Sequence, residues 1–448
     1  MLALTARYSA DMRAYRAALL RFAEDGAPLH DSDGLLVLGP DAQGRQVVRA
    51  AGSYAALAPR FAGVAVEHLP GRLIAPGFVD LHIHYPQTDI IGSPADGLLP
   101  WLETYTFPEE KRFSRQDHCA EVARFFIAEL LRNGVTTALT WATSHPASVN
   151  ALFAEAQRQQ LRLITGKVMQ DRHSPDGVRD DTEQSLIDTE DLIRRWHGTG
   201  RLGYAITPRF APTSSAAQLR GAGELAQRHA DVWIQSHVAE NRDEIAWARS
   251  LFPGSASYLG IYEDFGLLRA RAVYGHCIHL DAADRALMHT RGAAAAVCPT
   301  SNLFLGSGFF DFAAAQRDGV ALGLASDVGG GTSFCPFQTM LAAYHVGREG
   351  FSKAGLSLPP AHLWWLHTAG AARALGLDGV VGNLAPGCEA DFLVLNPQAT
   401  PLLARRTARV ANLDELLFAL IVLGDDRVIE RTHIAGTDPG GAIPTIAP

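Results

Sequence analysis

His82 and His84 stand two residues apart in the stretch Pro76-Gly77-Phe78-Val79-Asp80-Leu81-His82-Ile83-His84-Tyr85-Pro86-Gln87-Thr88-Asp89. Residues two apart on a strand share a face, so a strand over Phe78 to His84 aims both imidazoles in one direction, where they could grip one ion. Pro86 stops that strand, and Gln87 follows as an amide just beyond the pair. Taken alone, a His-x-His is a weak signal. Further candidates recur at the ends of other apolar runs: His237, His276 and Asp327. Each has a bland reading, as a hydrogen-bonded core histidine or, for Asp327, as the cap of a following helix. Those readings are independent of one another, whereas a metal site explains all five positions together. A donor set of histidines and one carboxylate, without thiolates, favours zinc, with iron as second choice. Such an ion lowers the pKa of a bound water to about 7 and so generates hydroxide at neutral pH. Hydroxide attack needs a proton carrier beside it. Glu240, three residues past His237, is the best candidate; its bland reading is a first-turn helix carboxylate.

The elements that must position these residues alternate between strand and helix. Apolar runs at Phe78 to His84, Val135 to Thr140, Leu161 to Val168, Leu202 to Pro208, Val232 to Val238, Ala272 to Cys277, Ala294 to Pro299 and Leu322 to Asp327 read as eight strands. Continuous apolar strands are expected where a parallel sheet is covered on both faces. Eight βα units in about 300 residues predict an α/β fold of the (β/α)8 TIM-barrel type, whose chemistry sits at the carboxyl ends of the strands. A doubly wound open sheet is the alternative, but no G-x-G-x-x-G opens the first helix. Between the first two strands, Ser114 and Asp117 suggest a helix start, with Val122, Phe125, Phe126 and Leu130 at helical spacing and Gly134 as its stop. Both chain ends are strand-like: Gly34 to Gly39, Gln46 to Ala50, Ala390 to Leu395 and Val428 to Gly436. Neither end offers enough strands for independent stability, which predicts one small β-sandwich domain drawn from residues 1–75 and 378–448 beside a barrel over 76–377.

Composition narrows the function classes. The 448 residues are 47% hydrophobic and 19% charged, an ordinary globular balance. A net charge of −8 and only three lysines, Lys111, Lys167 and Lys353, disfavour a dedicated nucleic-acid binder. No apolar run approaches the roughly 18 residues of a membrane span, and Met1 to Arg7 is too briefly apolar for a secretory segment. The five cysteines are scattered without a C-x-x-C, which suits a reducing compartment, so a cytoplasmic location is expected.

With these residues assembled, the chain resembles the amidohydrolase superfamily, and within it the branch that deaminates guanine. The stretches that carry the resemblance are the opening one, Trp101-Leu102-Glu103-Thr104-Tyr105-Thr106-Phe107-Pro108-Glu109, Thr207-Pro208-Arg209-Phe210-Ala211-Pro212 and Gln235-Ser236-His237-Val238-Ala239-Glu240-Asn241. Tyr274-Gly275-His276-Cys277, Cys298-Pro299-Thr300-Ser301-Asn302 and Ala325-Ser326-Asp327-Val328-Gly329-Gly330-Gly331 complete it. The resemblance implies a barrel flanked by a β-sandwich, with one zinc per chain held by His82, His84, His237 and Asp327. It implies that His276 stands beside the ion, that Gln87 reads an edge of the purine and Arg209 its carbonyl, and that Phe210 lines the pocket and offers its backbone. His237, His276 and Glu240 would also face the substrate, and Glu240 would shuttle protons with Asp327 assisting. The implied reaction is hydrolysis of guanine to xanthine and ammonia, by a homodimer with no nucleic-acid or membrane partner. An amide can pair with a donor–acceptor edge in two directions, and an Arg fork suits a ring oxygen, so the residue types agree with that substrate.

Three rivals remain at this stage. A binuclear cyclic-amide hydrolase of the same superfamily would need a bridging lysine, and Lys167 is the one candidate at a strand end. A silent scaffold should have lost ligands. Deamination of another aminopurine, a pterin or a triazine depends on pocket loops such as 92–112, which spacing does not resolve.

Overall fold

The computed structural model describes residues 12–94, 96–349 and 356–438; the Met1 to Arg7 segment lies outside the described residues. Its strands, in chain order, are β1 (Arg13–Phe22), β2 (Pro28–Pro40), β3 (Gln46–Ser53), β4 (Val66–Pro76), β5 (Phe78–His84), β6 (Val135–Trp141), β7 (Arg162–Gly166) and β8 (Val168–Met169). They continue as β9 (Leu202–Pro208), β10 (Trp233–Val238), β11 (Ala272–His276), β12 (Ala294–Val297), β13 (Ala321–Leu324), β14 (Phe392–Leu395) and β15 (Ile429–His433).

Eight of these run β5-β6-β7-β9-β10-β11-β12-β13 in parallel register, with β8 a two-residue extension paired to β9. β5, β6 and β9 are buried at every position, as strands covered on both faces must be. The segment just past β13 returns to β5: Asp327 N–H donates to the His82 carbonyl at 2.8 Å, and His84 N–H donates to the Val328 carbonyl at 2.8 Å. Those two bonds join the last strand to the first, and the architecture is the TIM barrel expected. The ladder of the last strand nonetheless ends at Leu324, three residues before Asp327, whose own φ is 52°. The third expected strand is likewise interrupted at Lys167.

The predicted helix start is corrected. The helix spans Gln116–Arg132 with Arg115 at its N-cap and no side-chain cap, because the Ser114 hydroxyl turns back to the Lys111 carbonyl at 3.0 Å. Its buried stripe runs through Cys119, Val122, Ala123, Phe126, Ile127 and Leu130, which leaves Phe125 on the outer edge, 39% exposed.

The chain ends build a separate six-stranded sheet in the order β15-β14-β4-β1-β2-β3, antiparallel except where β1 meets β4. The C-terminal stretch also holds a helix, Leu413–Leu423, capped by the Asn412 side chain and packed against the helices Pro336–Glu349 and Pro360–Leu366 of the barrel. Ionic contacts tie the sheet to the barrel floor, where Arg162 and Arg201 meet Glu389, and Arg201 also meets Asp391.

His433, in this sheet, is 3% exposed, stacks on Phe392 with ring centroids 4.1 Å apart, and has no hydrogen-bond partner on either ring nitrogen. Burial pushes its pKa down to about 4, so the ring is neutral in the fold. The unfolded chain, with a pKa near about 6.5, binds a proton first on acidification, and stability drains between about pH 6.5 and 4. His433→Phe is expected to preserve the stack and flatten the dependence of Tm on pH across that window. An unchanged slope would place the acid sensitivity elsewhere.

Candidate metal centre and purine pocket

The carboxyl ends of the barrel strands converge on one buried cluster. β5 delivers His82 and His84, β10 delivers His237, β11 ends on His276, and the segment after β13 brings Asp327. His82 Nε2 lies 3.1 Å from His84 Nε2, and His237 Nε2 lies 3.3 Å from His84 Nε2. Asp327 Oδ1 is 3.3 Å from the Nε2 atoms of both His82 and His84. Donors arranged tetrahedrally at about 2.0–2.1 Å from zinc stand about 3.3 Å from one another, so this set fits that ion. Close approach is built into the backbone: a Cβ on Gly275 would sit 2.7 Å from His82 Cε1, which only glycine avoids. Ala239, His276, Cys277 and Asp327 all carry positive φ, so unfavourable backbone conformations gather at this mouth.

Neighbouring groups set the tautomers. His237 Nδ1 donates to the Arg209 carbonyl at 2.7 Å, which leaves its Nε2 lone pair for an ion. His276 Nδ1 meets Asn302 Oδ1 at 2.9 Å, and its Nε2 then faces Glu240 Oε2 at 3.3 Å and Asp327 Oδ2 at 3.7 Å. Trp141 Nε1 donates to His82 Nδ1 at 3.1 Å, and His82 Nε2 lies 3.3 Å from Asp327 Oδ1. Burial pushes His84 down to about 3 and His237 well below its ordinary value, so both rings are neutral in the fold. Burial alone would raise Asp327, but the hydrogen bonds of His82 and His84, with electrostatic contributions from His82 and His276, outweigh it and hold the carboxylate well below the usual range.

Glu240 is held on both oxygens, by the Ser307 hydroxyl at 3.1 Å and by His276. Burial, with the Asp327 charge second, pushes its pKa up to about 8. That leaves a carboxyl able to take and return a proton near neutral pH. Glu244 fixes the backbone beneath it: one oxygen accepts from the Glu240 and Asn241 N–H groups at 3.0 Å each, the other from Tyr258 at 2.6 Å.

A pocket opens over this cluster, lined by Gln87, Arg209, Phe210, Glu240, His276 and Asp327 among others, and walled by Leu98, Trp101, Leu102 and Leu305. The expected residues are thus brought to one place. Phe210 packs edge-on to Trp247, and its carbonyl is taken by Thr213, so the backbone group it keeps for a ligand is the N–H. Lys167 is elsewhere engaged, its ammonium held by Asp180 at 2.7 Å and Ser185 at 2.9 Å.

Several residues of the site escaped the sequence reading. Trp141 ends β6 with its ring 4.2 Å from His237 and stacked on His84 at 5.1 Å, a roof over the histidines. It stands one residue past the expected strand Val135 to Thr140, and that adjacency to the barrel mouth is its signal in the sequence. Asn302 lies in the quoted Cys298-to-Asn302 stretch, without an assigned role there. Cys298 lies close enough to His82, His276 and Asp327 to join a ligand set. Burial pushes that thiol well above its ordinary pKa, and it donates to the Ala296 carbonyl, so it stays protonated.

Comparison with known proteins agrees with this geometry. Residues 73–437 match the Amidohydrolase family. Guanine deaminase of Escherichia coli (strain K12) is 45% identical over 373 residues, 83% of this chain and 84% of that protein. The solved structure of the E. coli guanine deaminase superposes with a TM-score of 0.89 at 40% identity, covering 95% of this chain and 98% of that one. The crystal structure of guanine deaminase from C. acetobutylicum, with bound guanine in the active site, gives a TM-score of 0.88 at 28% identity, covering 96% and 100% of the two chains. The fold, the strand-end cluster and the extent of these matches together establish that the chain belongs to the amidohydrolase family.

Proposed function

We propose that this protein is a zinc-dependent guanine deaminase, converting guanine to xanthine and ammonia. The observation that carries the reading is the convergence on one pocket of four zinc-type donors, a buried carboxyl on Glu240, and the donor–acceptor pair Gln87 and Arg209. His82, His84, His237 and Asp327 would hold one zinc per chain, which would supply a nucleophilic hydroxide at neutral pH. Gln87 and Arg209 orient the planar base, Arg209 donating to its carbonyl and Gln87 pairing with an edge. Phe210 contributes its ring and its free N–H. Glu240 accepts one proton of the attacking water and passes it to the ring nitrogen; the second, from the hydroxyl of the tetrahedral carbon, is carried by Glu240 to the exocyclic amine, which leaves as ammonia. His276, held through its Nδ1 proton by Asn302, presents its Nε2 beside the attacking oxygen, and Asp327 assists by accepting from the hydroxyl.

We infer that the enzyme works in the cytoplasm as a homodimer on a free small-molecule purine. The thiol-only cysteines among the described residues and the frequency of two-fold oligomers among soluble enzymes support this. Among the described residues no helix is long and apolar enough to cross a membrane.

The test is ammonia release by zinc-loaded protein across aminopurines, pterins and triazines. Guanine is expected to have the highest kcat/KM, with xanthine as product. Gln87→Ala and Arg209→Ala should each lower kcat/KM for guanine at least about tenfold with zinc retained, since each removes a buried hydrogen-bonding group from the ligand. Full activity in both variants would overturn the substrate assignment.

A further inference from the structure

Glu110 has no place in the reaction as described, yet it is completely buried beside the pocket. It comes from the short helix Phe107–Lys111, far in sequence from the strand that precedes Arg209. Its two oxygens accept from Arg209 Nη1 at 2.9 and 2.8 Å. The guanidinium carbon also lies 5.2 Å above the Phe107 ring centroid. The arginine is thereby clamped through one nitrogen and one face. Its Nε and Nη2 donors meet no protein acceptor among the described residues and remain for a ligand.

The same carboxylate reaches the second pocket group. Gln87 Nε2 points at Glu110 Oε1 at 3.5 Å, while Gln87 Oε1 accepts from the Gly329 N–H at 3.1 Å. A side-chain amide can be turned over to exchange donor and acceptor. Here the turned form would set its oxygen against a carboxylate and its NH2 against a backbone N–H, two repulsions in place of two attractions. Only one orientation survives.

We propose that Glu110 is the positioning residue that sets the donor–acceptor pattern of the pocket, acting through Arg209 and Gln87 together. The proposal rests on the reading of those two side chains as the purine-binding groups. Two consequences follow for specificity. A ligand carbonyl is required opposite Arg209, because the donors left free there have no other acceptor. The Glu110–Arg209 pair is also neutral overall, so the pocket favours an uncharged heterocycle over an anion of the same shape.

Glu110→Gln tests this, with metal content and Tm measured alongside. KM for guanine is expected to rise at least about tenfold while kcat falls much less, the loss of one charged hydrogen bond to a binding group being of that size. A second readout separates positioning from mere folding: the ratio of competitive inhibition constants for hypoxanthine, which keeps the ring carbonyl, and purine, which lacks it. Wild-type protein should prefer hypoxanthine, and the variant should lose most of that preference. A folded, metal-loaded variant with unchanged KM and unchanged ratio overturns the proposal. If Glu110→Gln does not fold, Glu110→Asp, which keeps the charge but draws it back by one methylene, is read by the same two criteria. Wild-type protein that releases no ammonia from guanine would sink the functional reading and this inference with it. Guanine turnover in wild type with an indifferent Glu110 variant would sink only the inference.

Discussion

Glu240→Gln is expected to retain zinc and lose guanine turnover by about 10³-fold, within the range general acid–base groups supply. The substitution keeps size and shape, and the one amide oxygen can still accept from Ser307 while the NH2 group faces His276 Nε2. What it removes is the ability to accept a proton from water and return it to the leaving amine. The wild-type pH profile carries the same signature. The carboxyl must be ionised to act as base, and burial with the Asp327 charge pushes it up to about 8. A bound cation favours the ionised form and draws that value down. The kcat/KM curve should therefore fall on the acid side at or below about pH 8, and the residual activity of the variant should lack that limb. Metal analysis of the purified variant, with kcat/KM followed from pH 5 to 9, decides the matter. Substantial activity with Gln at 240 would remove this residue from the proton-carrying role.

The second large effect concerns the metal itself. Asp327→Ala deletes the anionic member of the donor set and leaves three neutral imidazoles. Partners one step removed from a metal are commonly worth 10–100-fold in affinity, so loss of a direct ligand should weaken zinc binding by more than about 10²-fold. Zinc bound to the folded state raises stability by mass action, about 4 kcal/mol at a thousand times Kd. Wild-type Tm should thus climb on zinc addition and drop under a chelator, whereas the variant should show almost no response and negligible turnover. Equal zinc content in the two proteins would remove Asp327 from the proposed ligands.

The barrel was legible because its strands are near-continuous apolar runs, a pattern that survives without knowledge of contacts. The histidines and Asp327 could be singled out for a related reason, since strand ends mark the mouth of this fold wherever the runs are found. Residues that work through partners left no such trace. Glu109-Glu110-Lys111-Arg112 reads as a solvated helix face, and nothing local announces that Glu110 meets Arg209, 99 positions further along the chain. Trp141 reads as an apolar residue just past its strand until its ring is seen over His84 and His237. Ser114 failed for a smaller reason: its hydroxyl had a nearer acceptor than the helix it was expected to cap. The helix Leu413–Leu423 was hidden because a short, wholly apolar run fits a buried helix or a buried strand equally well.

The two backbone bonds that join Asp327 and Val328 to His82 and His84 bear on how the enzyme is made. The proposed ligands come from opposite ends of the barrel sequence, so their donor atoms meet only after the last strand has closed on the first. Long-range pairings of this kind form late, because the chain between them must already be ordered. A nascent or partly folded chain would then hold at most a two-histidine fragment of the centre, too weak to capture an ion. With that ligand set, metal acquisition would be the final step of maturation, and a chain carrying zinc would by that fact have completed its barrel.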